Sequence, residues 1–235
     1  DHPIRRMPGL GLRVHPNTDD PTLHHVTPTR AWLMMVRDFG FSLDDLRGLQ
    51  TGVLELMTLE VVFDALKKGE IRPDTIYPVS EYAWRTGGAP SRTSTMFAAV
   101  KSQVPVADLV KGIAVQTAND GCLIIAEGME GSEAKFVERM NARAAELGLA
   151  DSRFGNATGL PHPDNRSTLV DLVTLAQHLQ LTYPELYKTF ALPEFEWNKI
   201  LQRNRNPLLG IGADGLGTGY AEGSGFAIIA SAERN

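Results

Sequence analysis

Residues 117–120, Thr-Ala-Asn-Asp, join two apolar stretches of this 235-residue chain. The stretches, Val106 to Val115 and Cys122 to Met129, have the length and composition of buried helices. The junction between them, Gln116 to Asp120, carries hydroxyl, amide and carboxyl groups that can form hydrogen bonds. It is therefore a candidate functional site. The same residues also fit a plain helix cap, because Thr and Asn are common capping residues.

Further helices are predicted on both sides of this junction. Upstream, an apolar pattern with three- and four-residue spacing runs from Leu56 to Leu66, and Gly69 ends it. Downstream, Ser132 is placed to cap a helix that Gly148 stops. The remaining predicted helices are Leu169 to Leu181 and Glu185 to Phe190.

Two segments have β character. Thr75 to Val79 is typical of an edge strand, because Pro78 has no amide hydrogen to donate to a neighbour. Gly225 to Ala232 is an apolar β-type run. Helices between separated strands predict a mixed α/β layer fold with sheet strands drawn from both ends of the sequence.

Composition excludes several classes of function. The net charge of −5 and the lack of a basic run argue against a nucleic-acid partner. Cys122 is the single cysteine; it lies in an apolar run, so we expect it to be buried and to bind no metal. The adjacent His24 and His25 are interpreted as solvated loop residues, and no metal site is predicted. No apolar run is long enough for a membrane span, and no leader follows Asp1, which indicates a cytoplasmic or a trimmed chain.

Three segments follow residues 117–122 in a fixed order. They are Phe154-Gly-Asn-Ala-Thr-Gly-Leu160, Asn204-Arg-Asn-Pro-Leu-Leu209 and Asp214-Gly-Leu-Gly-Thr-Gly-Tyr220. Together these segments resemble the serine-type D-alanyl-D-alanine carboxypeptidases, the low-molecular-weight penicillin-binding proteins. The resemblance covers residues 56–235 and leaves residues 1–55 as a divergent N-terminal segment.

The resemblance implies a penicillin-binding-protein/β-lactamase-like α/β fold, with an antiparallel sheet flanked by helices and a mostly helical subdomain. Family members continue after the strand at Phe226 to Ala232 with another strand and a helix, so we expect a truncated domain and an incomplete sheet. An exposed apolar sheet edge invites pairing with other chains, which predicts low stability or self-association.

Three motifs line the cleft in such enzymes: S-x-x-K, S-x-N and K-T-G. The serine attacks the peptide carbonyl, the lysine takes its proton, and water hydrolyses the acyl-enzyme. The resemblance places Thr117-Ala118-Asn119 at S-x-N, with Thr117 and Asn119 as catalytic residues. It places Gly217-Thr218-Gly219 at K-T-G, with Tyr220 after it, as substrate-binding residues that lack the lysine. A glycine-rich turn is the alternative for this last segment.

Arg205 matches the arginine with which the family grips the substrate's terminal carboxylate. A guanidinium suits that role because its planar fork pairs with two oxygens. Arg205 could instead be a surface residue, and Arg203 offers an assignment displaced by two positions.

The S-x-x-K motif is missing where the resemblance requires it. Its serine falls on Gly52 and its lysine on Glu55. Glycine has no nucleophile, and glutamate cannot act as a neutral amine base. The string Ser132-Glu-Ala-Lys135 has the right letters, but it stands at an ordinary helix start, where serine is the N-cap.

The resemblance breaks abruptly between Glu55 and Leu56, which favours an altered reading frame or a substituted segment over gradual drift. With GC-rich codons, Thr51-Gly52-Val53 displaced by one nucleotide reads Pro-Ala-Ser, a tripeptide that often carries the family's nucleophile. Sequencing the coding DNA tests this hypothesis.

The resemblance implies an enzyme of the cell envelope or periplasm that trims the terminal D-alanine from peptidoglycan stem peptides. It implies no cofactor or metal, and it implies β-lactams as ligands. We expect this chain to be impaired, because the reactive serine and lysine are absent. Two alternatives stay open: a non-catalytic muropeptide- or penicillin-binding scaffold, and a β-lactamase or transpeptidase on the same fold.

Overall fold

The structure, a computed structural model, describes residues 54–221 and 225–232. Its helices are α1 Glu55–Lys68, α2 Glu81–Thr86, α3 Val106–Gln116, α4 Asn119–Glu130, α5 Glu133–Glu146, α6 Leu169–Thr182 and α7 Pro184–Tyr187. Its strands are β1 Ile76–Pro78, β2 Gln103–Pro105, β3 Glu194–Trp197, β4 Ile200–Arg203, β5 Gly215–Ala221 and β6 Gly225–Ser231. Short 3₁₀ turns lie at Ala89–Ser91, Lys188–Ala191 and Leu209–Ile211.

Helix α1 lies at the centre of the described core. The predicted apolar pattern is fully buried, with Leu56, Leu59 and Phe63 at 1% exposure or less, and α1 packs against α3, α4, α5 and α6. Burying each of these side chains contributes about 2 kcal/mol. Gly69 follows the helix with φ +72°, a left-handed conformation that glycine adopts without steric cost. The predicted helix and its stop are confirmed.

The helices on either side of the polar junction are also confirmed, with one difference. Asn119 and Asp120 belong to the first turn of α4 and not to the loop before it. Ser132 caps α5, because its Oγ accepts a hydrogen bond from the Lys135 amide at 3.4 Å. The capping interpretation of this Ser-x-x-Lys string is therefore confirmed.

The strands form three separate two-stranded antiparallel sheets within the described residues. Strand β1 pairs with β2, and Pro78 at its end lies opposite Gln103, as expected for an edge strand. Strands β5 and β6 form a hairpin from Gly215 opposite Ser231 to Ala221 opposite Gly225. Any strand from the N-terminal end of the sequence lies outside the described residues, so the prediction of a sheet built from both ends stays a prediction.

The β3–β4 hairpin was not predicted. Its turn consists of Asn198 and Lys199, whose φ angles of +49° and +64° place both in the left-handed region. Hairpin turns of this kind favour Asn followed by Gly, and the Asn-Lys pair gives a weaker signal. Phe195 and Gln202 face the core from the two strands and are both 6% exposed.

Cys122 is completely buried in α4, as the apolar run predicted. Among the described helices, none combines the length and the apolar character that a membrane crossing requires.

Candidate active site

The polar junction places Thr117 at the end of α3 and Asn119 in the first turn of α4. Thr117 ends α3 with φ +51°, and its hydroxyl donates to the Gln116 carbonyl at 2.6 Å. Ala118 is the N-cap residue of α4, so neither polar side chain caps that helix. Asn119 is 5% exposed. The cap alternative holds for Thr117, which is the C-cap residue of α3, and fails for the start of α4, where the junction presents Asn119 from the first turn of a buried helix.

Asp120 holds the segment that precedes α3 against the start of α4. Its carboxylate accepts four hydrogen bonds: from the Thr95 hydroxyl at 2.6 Å and from the amides of Met96, Ala98 and Gly121 at 2.9, 3.0 and 3.0 Å. Burial raises the pKa of Asp120, and these hydrogen bonds oppose the rise. The sequence placed Asp120 in the candidate junction but gave no sign of this anchoring role.

Gly87 fixes the other side of Asn119. A Cβ at Gly87 would lie 2.6 Å from the Asn119 carbonyl carbon and 2.6 Å from the Asp120 amide nitrogen. The two backbones can approach this closely only if residue 87 has no side chain. In addition, the Asn119 amide donates to the Ser94 carbonyl at 2.9 Å. The position of Asn119 is therefore set from several directions.

Glu55, where the resemblance expects the lysine, lies in the first turn of α1 and is 4% exposed. Burial raises the pKa of Glu55 to about 8. Within the described residues its Oε1 has no hydrogen-bond partner. An unpaired buried carboxylate is costly, because neither water nor a counter-charge replaces its lost solvation. Gly52, where the resemblance expects the serine, lies outside the described residues.

Two of the motif segments meet at this glutamate. A Cβ at Gly159, in the Phe154–Leu160 segment, would lie 3.2 Å from Glu55 Oε2. A Cβ at Gly217, in β5, would lie 3.8 Å from Glu55 Oε1. Helix α4 carries Cys122, where burial raises the pKa of the thiol and the charge of Glu55 raises it further.

The Phe154–Leu160 segment is tied to the helices beneath it. The Thr58 hydroxyl of α1 donates to the Ala157 carbonyl at 2.6 Å. The Ala157 amide donates to Glu133 of α5 at 3.0 Å. The sequence did not single out Thr58 or Glu133, because each is an ordinary helix residue whose role depends on a contact distant in the chain.

Gly217, Thr218 and Gly219 form a strand, so the glycine-rich turn suggested by the sequence is wrong. They lie in β5 opposite Ile229, Ile228 and Ala227 of β6. Gly217 is buried and Thr218 is half-buried. The backbone of Tyr220 continues the strand opposite Phe226, while its side chain lies outside the described part of the structure.

Arg205 is exposed beside the carboxyl end of α3. Its Nε donates to Gln116 Oε1 at 3.0 Å, and its backbone amide donates to the Val115 carbonyl at 3.1 Å. Arg205 is thus joined to the residue that precedes Thr117. Arg203 lies at the end of β4, opposite Glu194.

Asn206, which the sequence did not single out, links the Arg205 segment to β5. It is 4% exposed, and its Nδ2 donates to the Gly215 carbonyl at 2.9 Å. Asn206 stands inside the Asn204–Leu209 segment, and this position beside Arg205 is the signal that could have identified it. Among the described residues, no group of three or more His, Cys, Asp or Glu side chains is arranged to hold a metal ion.

Comparison with known proteins matches residues 51–235 to the peptidase S11 family, D-alanyl-D-alanine carboxypeptidase. D-alanyl-D-alanine carboxypeptidase DacC of Escherichia coli is 36% identical over 211 residues, which cover 86% of this chain and 53% of that protein. DacF of Bacillus subtilis is 34% identical over 187 residues, covering 77% and 46%. The chain spans about half the length of these curated relatives.

Solved structures agree with these relatives. Penicillin-binding protein 5 from Haemophilus influenzae has a TM-score of 0.74 at 35% identity, covering 78% of this chain and 54% of that one. Penicillin-binding protein D2 from Listeria monocytogenes, in its cefotaxime-bound form, has a TM-score of 0.68 at 30% identity, covering 78% and 74%. The expected α/β fold of helices with antiparallel sheets is confirmed by these likenesses.

Proposed function

Because this chain belongs to the D-alanyl-D-alanine carboxypeptidase family, we propose that its cleft binds peptidoglycan stem peptides that end in D-alanyl-D-alanine. The observation that carries the proposal is the meeting of Gly159 and Gly217 at Glu55, with Asn119 three residues before Cys122 on the neighbouring helix. Segments far apart in the sequence thus surround the position that the family gives to its lysine.

Each retained residue has a distinct part in this proposal. Asn119 offers a side-chain amide, on a backbone held by Ser94 and Gly87, for the substrate backbone, and Thr117 offers a hydroxyl for proton relay. Among the residues that the structure describes, β5 pairs only with β6, so its other edge, at Thr218, offers backbone groups along which an extended peptide can lie. Arg205 offers a guanidinium for the terminal carboxylate, and its exposure leaves it accessible to that group.

The chemical step is the part that we propose to be lost. Acyl transfer requires a nucleophile and a base that removes its proton. Gly52 supplies no nucleophile, and Glu55 is protonated over most of the neutral range, since burial raises its pKa to about 8. Loss of the nucleophile lowers the rate by a factor of about 10⁶ in serine hydrolases. This chain should therefore bind the substrate and cleave it at a negligible rate.

Incubation with a fluorescent penicillin, followed by intact-mass measurement, tests this proposal. We expect no covalent adduct on the chain as it stands, and one adduct per chain on the double variant Gly52→Ser, Glu55→Lys. The single variant Glu55→Lys is the matched control, since it restores the base without a nucleophile. An adduct on the unaltered chain, or no adduct on a well-folded double variant, would contradict the proposal.

β-Lactams are the second class of ligand that we propose for this cleft, because penicillin-binding protein D2 is similar to this chain and its structure was determined in a cefotaxime-bound form. The relatives described above are peptidases, so they give no support to the scaffold alternative. Peptidoglycan lies in the cell envelope, and we propose the envelope as the place where this protein acts.

We also propose that residues 1–55 are a divergent segment joined to the family domain. The family match begins at residue 51, and the match to DacC reaches further into this segment, since it covers 86% of the chain. If no one-nucleotide displacement of the coding DNA restores Ser-x-x-Lys before Leu56, the reading-frame hypothesis is wrong.

Self-association through strand β6 is a further proposal. Within the described residues β6 pairs only with β5, and Ile228 on β6 is 46% exposed. An open strand edge offers unpaired amides and carbonyls to a second copy of the chain. Light scattering across a concentration series should show dimers or larger species, and Ile228→Lys should reduce them. A strictly monomeric protein would contradict the proposal.

A further inference from the structure

Phe97 combines two features that its own packing does not explain. Its backbone has φ +63°, in the left-handed region that non-glycine residues avoid. Its side chain is 43% exposed. An aromatic residue in a strained conformation normally recovers the cost through burial, and Phe97 recovers only part of it.

The residues on either side of Phe97 are held firmly in the core. Met96 and Ala98 are both buried, and their amides donate to the two carboxylate oxygens of Asp120. The Phe97 amide itself donates to the Thr95 hydroxyl at 3.0 Å. The Gln202 side-chain amide donates to the Met96 carbonyl at 3.3 Å. These contacts hold the backbone on both sides of Phe97 and leave its aromatic ring partly exposed to solvent.

The anchor that holds this loop also holds the candidate site. Asp120 directly follows Asn119, and the Asn119 amide donates to Ser94, three residues before Phe97. Thr93 and Ser94 are half-buried and carry hydroxyl groups. The loop that carries Thr93, Ser94 and the exposed Phe97 ring is therefore bonded directly to Asn119 and Asp120 at the start of α4.

We infer that Phe97 is a substrate-contacting residue that packs against the apolar face of a sugar ring in the glycan to which the stem peptide is attached. The inference rests on the proposed function. Sugar rings present a face of C–H groups, which suits the negative face of an aromatic ring, and their hydroxyls suit Ser and Thr partners. A peptide of about four residues lies between the sugar and the scissile bond and spans up to ~14 Å when extended, so a sugar contact belongs at the edge of the site and not at its centre.

Two labelled probes test this inference by fluorescence anisotropy: a stem pentapeptide, and the same peptide carrying its disaccharide. Phe97→Ala should weaken binding of the sugar-bearing probe about tenfold, the equivalent of about 1.4 kcal/mol, and leave the bare peptide unchanged. Phe97→Trp should retain binding of both probes. Leu181→Ala, which removes an apolar side chain that is 81% exposed on α6, is the control.

The outcomes separate the two proposals. If Phe97→Ala binds the sugar-bearing probe as tightly as the unaltered chain does, the sugar contact is wrong and the peptide site stands. If the unaltered chain binds neither probe, the proposed function is wrong and the sugar contact fails with it.

A stability measurement distinguishes a binding role from a structural one. Asparagine tolerates the left-handed region, and the relief of strain offsets the lost burial of the ring, so Phe97→Asn should keep the melting temperature within a few degrees of the unaltered chain while it weakens the sugar-bearing probe as Phe97→Ala does. If Phe97→Asn, measured well below its melting temperature, binds the sugar-bearing probe as tightly as the unaltered chain does, the ring has no binding role and the inference is overturned.

Discussion

Replacing Glu55 with glutamine should stabilise this protein at neutral pH. Glutamine has nearly the same shape and no charge, so Glu55→Gln removes the titration and leaves the packing in place. Burial raises the pKa of Glu55 from 4.5 to about 8. Between these values the folded protein holds a proton that the unfolded chain has released, so rising pH lowers the free energy of unfolding across this window. Above pH ~8 the loss is complete and the dependence levels off.

The size of the effect follows from that pKa difference. At pH 7 the solution is 2.5 pH units above the ordinary pKa of 4.5, and each unit costs ~1.4 kcal/mol, which gives a penalty of about 3 kcal/mol. Glu55→Gln should be more stable than the unaltered chain by about that amount at pH 7, and equal to it near pH 4.5. For a chain of this length, 3 kcal/mol corresponds to roughly 6–12 °C in melting temperature.

Urea denaturation followed by tryptophan fluorescence at pH 4.5, 6, 7 and 8 measures this difference directly. Glu81→Gln is the matched control, because its side chain is 67% exposed and pairs with Arg85 only at the surface. That variant should stay within about 0.5 kcal/mol of the unaltered chain at every pH. If the difference in free energy of unfolding between Glu55→Gln and the unaltered chain stays constant from pH 4.5 to 8, the claim that burial raises the pKa of Glu55 is wrong.

Further substitutions test the surroundings of Glu55 and Asn119. Gly217→Lys places a Cβ 3.8 Å from Glu55 Oε1. The added ammonium should lower the pKa of Glu55. In the same urea assay, the free energy of unfolding should then change less between pH 5 and 8. Gly87→Ala forces a Cβ to within 2.6 Å of the Asn119 backbone and should cost about 1–3 kcal/mol; unchanged stability would mean that the two segments can separate. Asp120 accepts four hydrogen bonds, and Asp120→Asn would point an NH2 donor at a backbone N–H donor. The free energy of unfolding should fall by about 3 kcal/mol. A fall of less than about 1 kcal/mol would contradict the anchoring role. Ser132→Ala removes a long capping bond of 3.4 Å and should cost only about 0.5 kcal/mol in thermal denaturation.

Local patterns in the sequence were sufficient for most of the helices. The apolar spacing from Leu56 and the stop at Gly69 predicted α1 to within a residue at its start, and Ser132 predicted the start of α5. These features depend on neighbours within one or two helical turns, so the sequence contains their cause. The order of the motif segments likewise indicated the family, although it left the role of each segment to be inferred.

Hairpin β3–β4 shows where local patterns were insufficient. Its turn residues, Asn198 and Lys199, both adopt positive φ without a glycine, and the surrounding structure decides that conformation. The glycine-rich segment at Gly217 was equally ambiguous. Pairing with β6 makes it a strand, and that pairing depends on residues further along the chain.

The chemistry at Glu55 was the most dependent on tertiary structure. The resemblance assigns Glu55 to the lysine's place, which is an expectation about chemical type. Its burial, its raised pKa and its closeness to Gly159 and Gly217 arise only when α1 and segments more than a hundred residues away come together. The same holds for Asp120 and Gly87, which position Asn119 through contacts across the chain. The sequence by itself determined which groups are present and which helices carry them. The tertiary structure alone decided which groups lose their water and what replaces it, because desolvation depends on all the neighbours at once.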